Sequence, residues 1–146
     1  MQISKMQNEQ LDFFIGNEVQ VTSTTHNVKN PISAGVIQDW ELMEKFWHRS
    51  IFDYLKCDPE EHVFILTEPP MNPPENREQM AEIFFETFNA KGLFIGVQAC
   101  LALYCHYYFL KEENKGKVEL TGTVLDSGDG VTNVIPIVRS WGKKKS

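Results

Sequence analysis

Only three cysteines, Cys57, Cys100 and Cys105, occur in the 146 residues. Odd in number and scattered, they exclude a disulfide framework, offer no zinc-ligand spacing and point to a reducing compartment. Basic charge is also scarce. Fourteen Lys and Arg stand against twenty Asp and Glu, a net charge of −6, and the one basic run is Lys143 to Lys145. Nucleic acid is therefore not an expected partner. Internal repeats and low-complexity linkers are missing, and Met1 to Gln10 is polar, without the apolar core of a secretory signal. Long apolar runs are lacking with one exception: Leu93 to Leu110 holds no Asp, Glu, Lys or Arg and reaches the lower edge of membrane-spanning length. Gln98 and His106 inside it, and Gly92 and Gly96 at its start, argue against a span. The run reads better as a short buried strand, Leu93 to Val97, followed by a largely buried helix, Gln98 to Leu110.

What is present suits one globular domain: 42% of the residues are hydrophobic and 12% aromatic, enough for a real core. Leu11 to Ile15 and Val19 to Thr22 are β-prone runs around a turn at Gly16-Asn17. Asp39 is a plausible N-cap for a helix over 40–56, whose apolar residues Trp40, Met43, Phe46, Trp47, Ile51, Tyr54 and Leu55 recur at spacings of three and four. His62 to Thr67 reads as a strand. Four prolines make Glu68 to Pro74 a stiff loop that neither sheet nor helix can cross. Asn76 with Gln79 resembles a capping box, and Met80, Ile83, Phe84 and Phe88 form the stripe of a helix over 76–88. Lys111 to Lys117 is polar and reads as a solvent loop before a strand from Val118 to Leu125. The alternation of strand and helix, closed by a β-hairpin, predicts an α/β fold with helices flanking a sheet.

The hairpin is the chemically suggestive part. Asp126, Ser127, Gly128, Asp129, Gly130 and Val131 lie between the strand ending at Leu125 and a Val/Ile-rich run over Val131 to Ile137. Two glycines free to take positive φ can turn successive N–H groups into one concavity that suits a phosphate, and Asp126 can face an accompanying metal ion. The same residues also make an ordinary hairpin, because Asp-Gly between β runs is among the commonest hairpin signals. Ligands in such sheets gather where strands end in loops, which adds Thr67 to Asn72 and Gln98 to the candidates. Gln98 at the start of a buried helix can equally serve as a cap or bond a neighbouring strand.

Four motifs stand in one order and spacing: Leu66-Thr-Glu-Pro-Pro-Met-Asn-Pro-Pro-Glu-Asn-Arg77, Phe85-Glu-Thr-Phe-Asn89, Val97-Gln-Ala99 and Asp126-Ser-Gly-Asp-Gly-Val-Thr132. In this the chain resembles the actin superfamily over Leu11 to Val138, with 139–146 left as an unmatched tail. Leu11-Asp-Phe-Phe-Ile-Gly16, Cys57-Asp-Pro-Glu-Glu-His62, Leu120-Thr-Gly-Thr-Val124 and the long segment from Tyr104 to Glu119 are similar to an actin-related branch rather than to conventional actin. The resemblance implies an actin-like, ribonuclease H-like mixed sheet flanked by helices, incomplete and forming a single partial domain.

It also implies chemistry. Asp126 to Val131 looks like the second of the family's two phosphate loops for ATP with Mg. Asp126 would stand near the hydrated magnesium, while Asp129, Gly130 and Val131 clasp phosphates. Gln98 matches the glutamine that orients the attacking water, which suits phosphoryl transfer, a reaction that depends on positioning. Asn72 and the proline-rich loop look like the segment that senses the nucleotide. The implied partners are actin and the other subunits of the actin-related protein 2/3 complex, in the cytoplasm and cytoskeleton. An ATP-dependent phosphotransferase of the same superfamily and a degenerate, inactive fragment are the alternatives. Two departures bear on hydrolysis. Asn133 and Ala34 stand where the family usually has histidines, and Asn cannot titrate near neutral pH. The family's first phosphate loop, an Asp-Gly-Thr-Gly turn, has no counterpart in this sequence, so a full nucleotide cleft is not expected and the sequence reads as truncated.

Overall fold

The computed structural model describes residues 13–22, 27–113 and 120–138. A short helix, α1 (Asn17–Thr22), comes first. A small antiparallel hairpin follows, β1 (Ile32–Ser33) with β2 (Val36–Ile37). Helix α2 (Trp40–Arg49) starts at Asp39, whose side chain accepts from the Leu42 N–H, and runs on through a wider π-type turn over Ser50–Leu55. Lys56, in the left-handed region at φ 51°, ends it. A 3₁₀ turn, Pro59–Glu61, leads into β3 (Val63–Glu68). Helix α3 (Pro74–Glu82) continues through a second π-type turn, Ile83–Thr87, and delivers the chain to β4 (Gly92–Val97). Helix α4 (Gln98–Glu113) and the hairpin β5 (Thr121–Ser127) and β6 (Thr132–Val138) complete the described part.

β3 and β4 pair in parallel from Val63↔Gly92 to Glu68↔Val97. Parallel neighbours need a crossover, and α3 supplies it. Alternation along β3 turns Phe64 and Leu66 toward the core and leaves Val63 and Ile65 exposed. The core gathers Met43, Trp47 and Ile51 from α2 and its extension with Met80, Ile83, Phe84 and Phe88 from α3 and its extension. Phe84, 1% exposed, is its centre. Trp47, Phe64 and Phe88 stand edge-on to it at centroid separations of 5.2, 5.3 and 5.4 Å, the geometry aromatic quadrupoles favour. The π-type turn places Phe88, because its N–H reaches back to Ile83 O while Ala90 N–H reaches Phe84 O.

The α/β class holds, with the sheet divided into three two-stranded pieces where one was expected. Five local expectations are corrected. Val19 to Thr22 lies in helix α1 rather than a strand: Val19 N–H closes a turn on Gly16 O, and Glu18 pairs with Arg49 of α2 at 2.9 Å. Intrinsic β propensity of the valines is a weak, context-dependent preference that tertiary contacts such as this one outweigh. Phe13 to Ile15 carries no regular structure, and Leu11 and Asp12 lie outside the described residues. Asn76 is not a cap. The helix begins at Pro74 with Pro73 in the cap position and no side-chain capping bond, since a proline in the first turn has no N–H to satisfy. Helix α4 is not largely buried: Ala99 is buried, but Tyr104, Tyr108 and Phe109 are all more than half exposed. It also continues to Glu113, into the stretch expected as a loop; 114–119 and the tail over 139–146 lie outside the described residues.

Among the described residues no helix is long and apolar enough to cross a membrane, and all three cysteines are free. Removal of the central ring should be the most costly single truncation in this core. Phe84→Ala is expected to lower unfolding free energy by about 3–5 kcal/mol, measured by urea titration. Asp39→Ala, which deletes only the cap of α2, should lower it by about 1 kcal/mol.

Candidate functional site

Two separate places hold the residues singled out in the sequence. The first lies at the ends of the parallel strands. Gln98 opens α4 directly after β4, and its Nε2 donates to Thr67 Oγ1 of β3 at 3.2 Å. Beside them is a cavity of about 340 Å³ whose polar wall is Thr67, Glu68, Asn72, Asn76 and Gln98. Its apolar wall includes Ile37, Met43 and Trp47. A pocket of this size, with a few convergent polar groups at the carboxyl ends of parallel strands, is where α/β folds bind ligands. The β1–β2 turn closes on the same loop. Ala34 and Gly35 both have positive φ, 51° and 81°, and a Cβ built at Gly35 would stand 3.5 Å from Pro69 Cβ.

Glu68, which the sequence offered only as one residue of the Thr67 to Asn72 stretch and with no role of its own, is the buried acid of this site, 4% exposed. Its Oε1 accepts from Arg77 Nη2, and its Oε2 accepts from Arg77 Nε at 3.3 Å and Asn72 Nδ2 at 3.1 Å. Asn72 Oδ1 in turn accepts from Asn76 Nδ2 at 3.1 Å. The signal for it was present. An acid buried at the end of an apolar strand needs a partner, and Arg77 lies one proline loop later on the first turn of the next helix.

The second place is the hairpin tip. Register pairs Asp126 with Asn133 and Ser127 with Thr132, and the Ser127 and Thr132 hydroxyls meet at 2.9 Å. Gly128 N–H donates to Val131 O at 3.0 Å, closing a four-residue tip. Asp126 through Gly130 are exposed. The expectation of positive φ at Gly128 and Gly130 is not met; among the described glycines only Gly16 and Gly35 adopt it. With the Gly128–Val131 bond closing it, the tip turns without either glycine entering the left-handed region. A Cβ at Gly130 would meet nothing within 4 Å. The tip residues do not line the 340 Å³ cavity, so the structure unites Gln98 with Thr67 and Asn72 and keeps Asp126 to Val131 apart from them. Among the described residues no cluster of His, Cys, Asp and Glu has the make-up of a metal centre. A larger hollow of about 500 Å³, beside Phe13, Ile15, Val28, Leu42 and Phe46, holds none of the expected site residues.

A family model described as Actin matches residues 2–141. Among curated proteins, the chain is similar to "Actin-related protein 3" of Saccharomyces cerevisiae, 53% identical over 139 residues, which cover 94% of this chain and 30% of that protein. The protein of the same name from Schizosaccharomyces pombe is 52% identical over 139 residues, 94% of this chain and 32% of that one. That from Dictyostelium discoideum is 56% identical over 133 residues, 91% and 31% respectively. The chain thus spans under a third of the length of these relatives.

The glycines of the two places should respond differently to a methyl group. Gly130→Ala is expected to leave stability within about 0.5 kcal/mol, because its φ is ordinary and the space is open. Gly35→Ala should cost about 1 kcal/mol, since its φ of 81° is unfavourable for an L side chain. Paired thermal melts of the two variants check this.

Proposed function

The chain belongs to the actin family, and on that premise we propose that it is an ATP-binding, actin-related cytoskeletal protein. Its place is in the actin-related protein 2/3 complex, which nucleates branched actin filaments, and its partners are actin and the other subunits of that complex in the cytoplasm. The observation that carries this reading is the identity of 51–56% with proteins named actin-related protein 3 from fungi, amoebae and animals.

The residues fit ATP with Mg in part. Asp126 is an exposed carboxylate of the kind that holds a hydrated magnesium. Gly128 N–H is engaged within the hairpin, which leaves the amides of Asp129, Gly130 and Val131 to meet phosphate oxygens, with Ser127 at the edge of the loop. The magnesium would neutralise charge on the phosphates. Gln98, its amide nitrogen on Thr67, would orient water with its carbonyl oxygen. Asn133, half-buried opposite Asp126, can hydrogen bond there but cannot relay a proton. Phosphate contacts from one hairpin alone hold a nucleotide weakly, since much of the ligand's charge stays unpaired.

Affinity purification of the tagged chain from its own cells tests the assembly: actin and other actin-related subunits should co-purify, and their consistent absence would sink the cytoskeletal reading. Nucleotide binding has a separate readout. Mg-ATP at ten times its Kd should stabilise the chain by about 1.4 kcal/mol, seen as a melting rise of several degrees that ATP with EDTA does not produce. No rise at any concentration would remove ATP from the reading.

A further inference from the structure

We propose that Glu68 is a positioning residue: its buried carboxylate fixes the orientation of the Asn72 side-chain amide, and with it the polar wall of the 340 Å³ cavity. The proposal rests on the nucleotide reading only for what fills that cavity. The remaining buried side chains among the described residues are apolar or proline, and Glu68 alone carries charge there. An apolar residue could pack at the end of β3 without any need for partners, so a carboxylate at this position is a cost unless its bonds do something. Arg77 is not the beneficiary. Its side chain is 53% exposed, and solvent would satisfy it without Glu68.

Asn72 is what the carboxylate changes. Its Nδ2 donates to Glu68 Oε2 and its Oδ1 accepts from Asn76 Nδ2, each at 3.1 Å. An amide gripped at both ends cannot flip, so its second N–H and second lone pair keep one orientation. The prolines around it, Pro69, Pro70, Pro73 and Pro74, stiffen the backbone but do not set a side-chain torsion. Glu68 lies opposite Val97 in register, one residue before Gln98. The carboxylate thereby ties the end of β3 to the loop and to the first turn of α3, while the backbone pairing holds that strand end beside the one that leads into Gln98. A polar ligand in the cavity would meet Asn72 in one fixed presentation, and loss of the Glu68 charge would release it.

Side-chain amide exchange in the whole chain, followed by ¹⁵N NMR, tests this directly. In Glu68→Gln, which keeps the volume but not both charged acceptors, the Asn72 Nδ2 protons should exchange about tenfold faster, as expected for loss of a hydrogen bond to a charged group. The backbone amide of Phe84, a reporter of global opening, should change far less. Arg77→Lys, altered at a half-exposed position, cannot bridge both carboxylate oxygens and should accelerate Asn72 partially; it replaces Glu68→Gln if that variant does not fold. Unchanged Asn72 exchange, or acceleration no greater than that of Phe84, would overturn the proposal. In parallel, Mg-ATP titration should show about tenfold weaker binding in Glu68→Gln. If the unmodified chain binds no Mg-ATP, the nucleotide reading fails on its own, and the exchange rates still decide the role of Glu68.

Discussion

The edge-on packing of Phe84 against Trp47, Phe64 and Phe88 is the contact on which the other elements depend. It joins α2, β3 and the extension of α3, three segments far apart in sequence, through a single ring that is 1% exposed. Helix α3 can serve as the crossover between two parallel strands because this ring and its neighbours hold it on one face of the pair. The π-type turn that follows is part of the same device, since it swings Phe88 back onto the cluster before the chain enters β4.

That crossover creates the polar end of the strands. Once β3 and β4 are parallel and in register, Glu68 and Val97 lie side by side, and both chains leave the sheet at the same edge. Thr67 and Gln98 then meet, and the proline loop has to fold back over them to reach α3. Glu68 makes that return specific. The carboxylate bonds one residue of the loop and one of the helix, a link between tertiary packing and the geometry of the cavity.

The hairpin β5–β6 stands on different support. Its inner face, Val124, Ile135 and Ile137, is half-buried, while Leu125, Val134 and Val138 on the outer face are each more than 60% exposed. Gly122 allows close approach to α4, where Leu103 Cδ1 lies 3.1 Å from the position a Cβ would take. The actin family match covers nearly the whole chain, whereas the chain covers under a third of its relatives. The exposed aromatic residues of α4 and the outer face of the hairpin are the apolar surface this stretch presents.

Local pattern was enough for much of this molecule. The apolar stripe of α2 and its Asp39 cap, the strand–helix junction at Gln98 and the paired strands around Asp126 to Val131 were all legible, because periodicity, capping chemistry and turn composition act over a few residues. The motif spacing likewise named the family. Tertiary structure decided what those rules do not reach. Val19 to Thr22 became helical next to an ion pair between residues 31 positions apart, and the helix stripe after the prolines began two residues before its apparent cap, because Pro74 needs none. The exposure of α4 depends on what packs against it, which its own run of apolar residues cannot specify. Above all, Glu68 read as one letter of a proline-rich motif. Only the fold, by burying it and bringing Arg77 and Asn72 to its two oxygens, made it the charged centre of the candidate site.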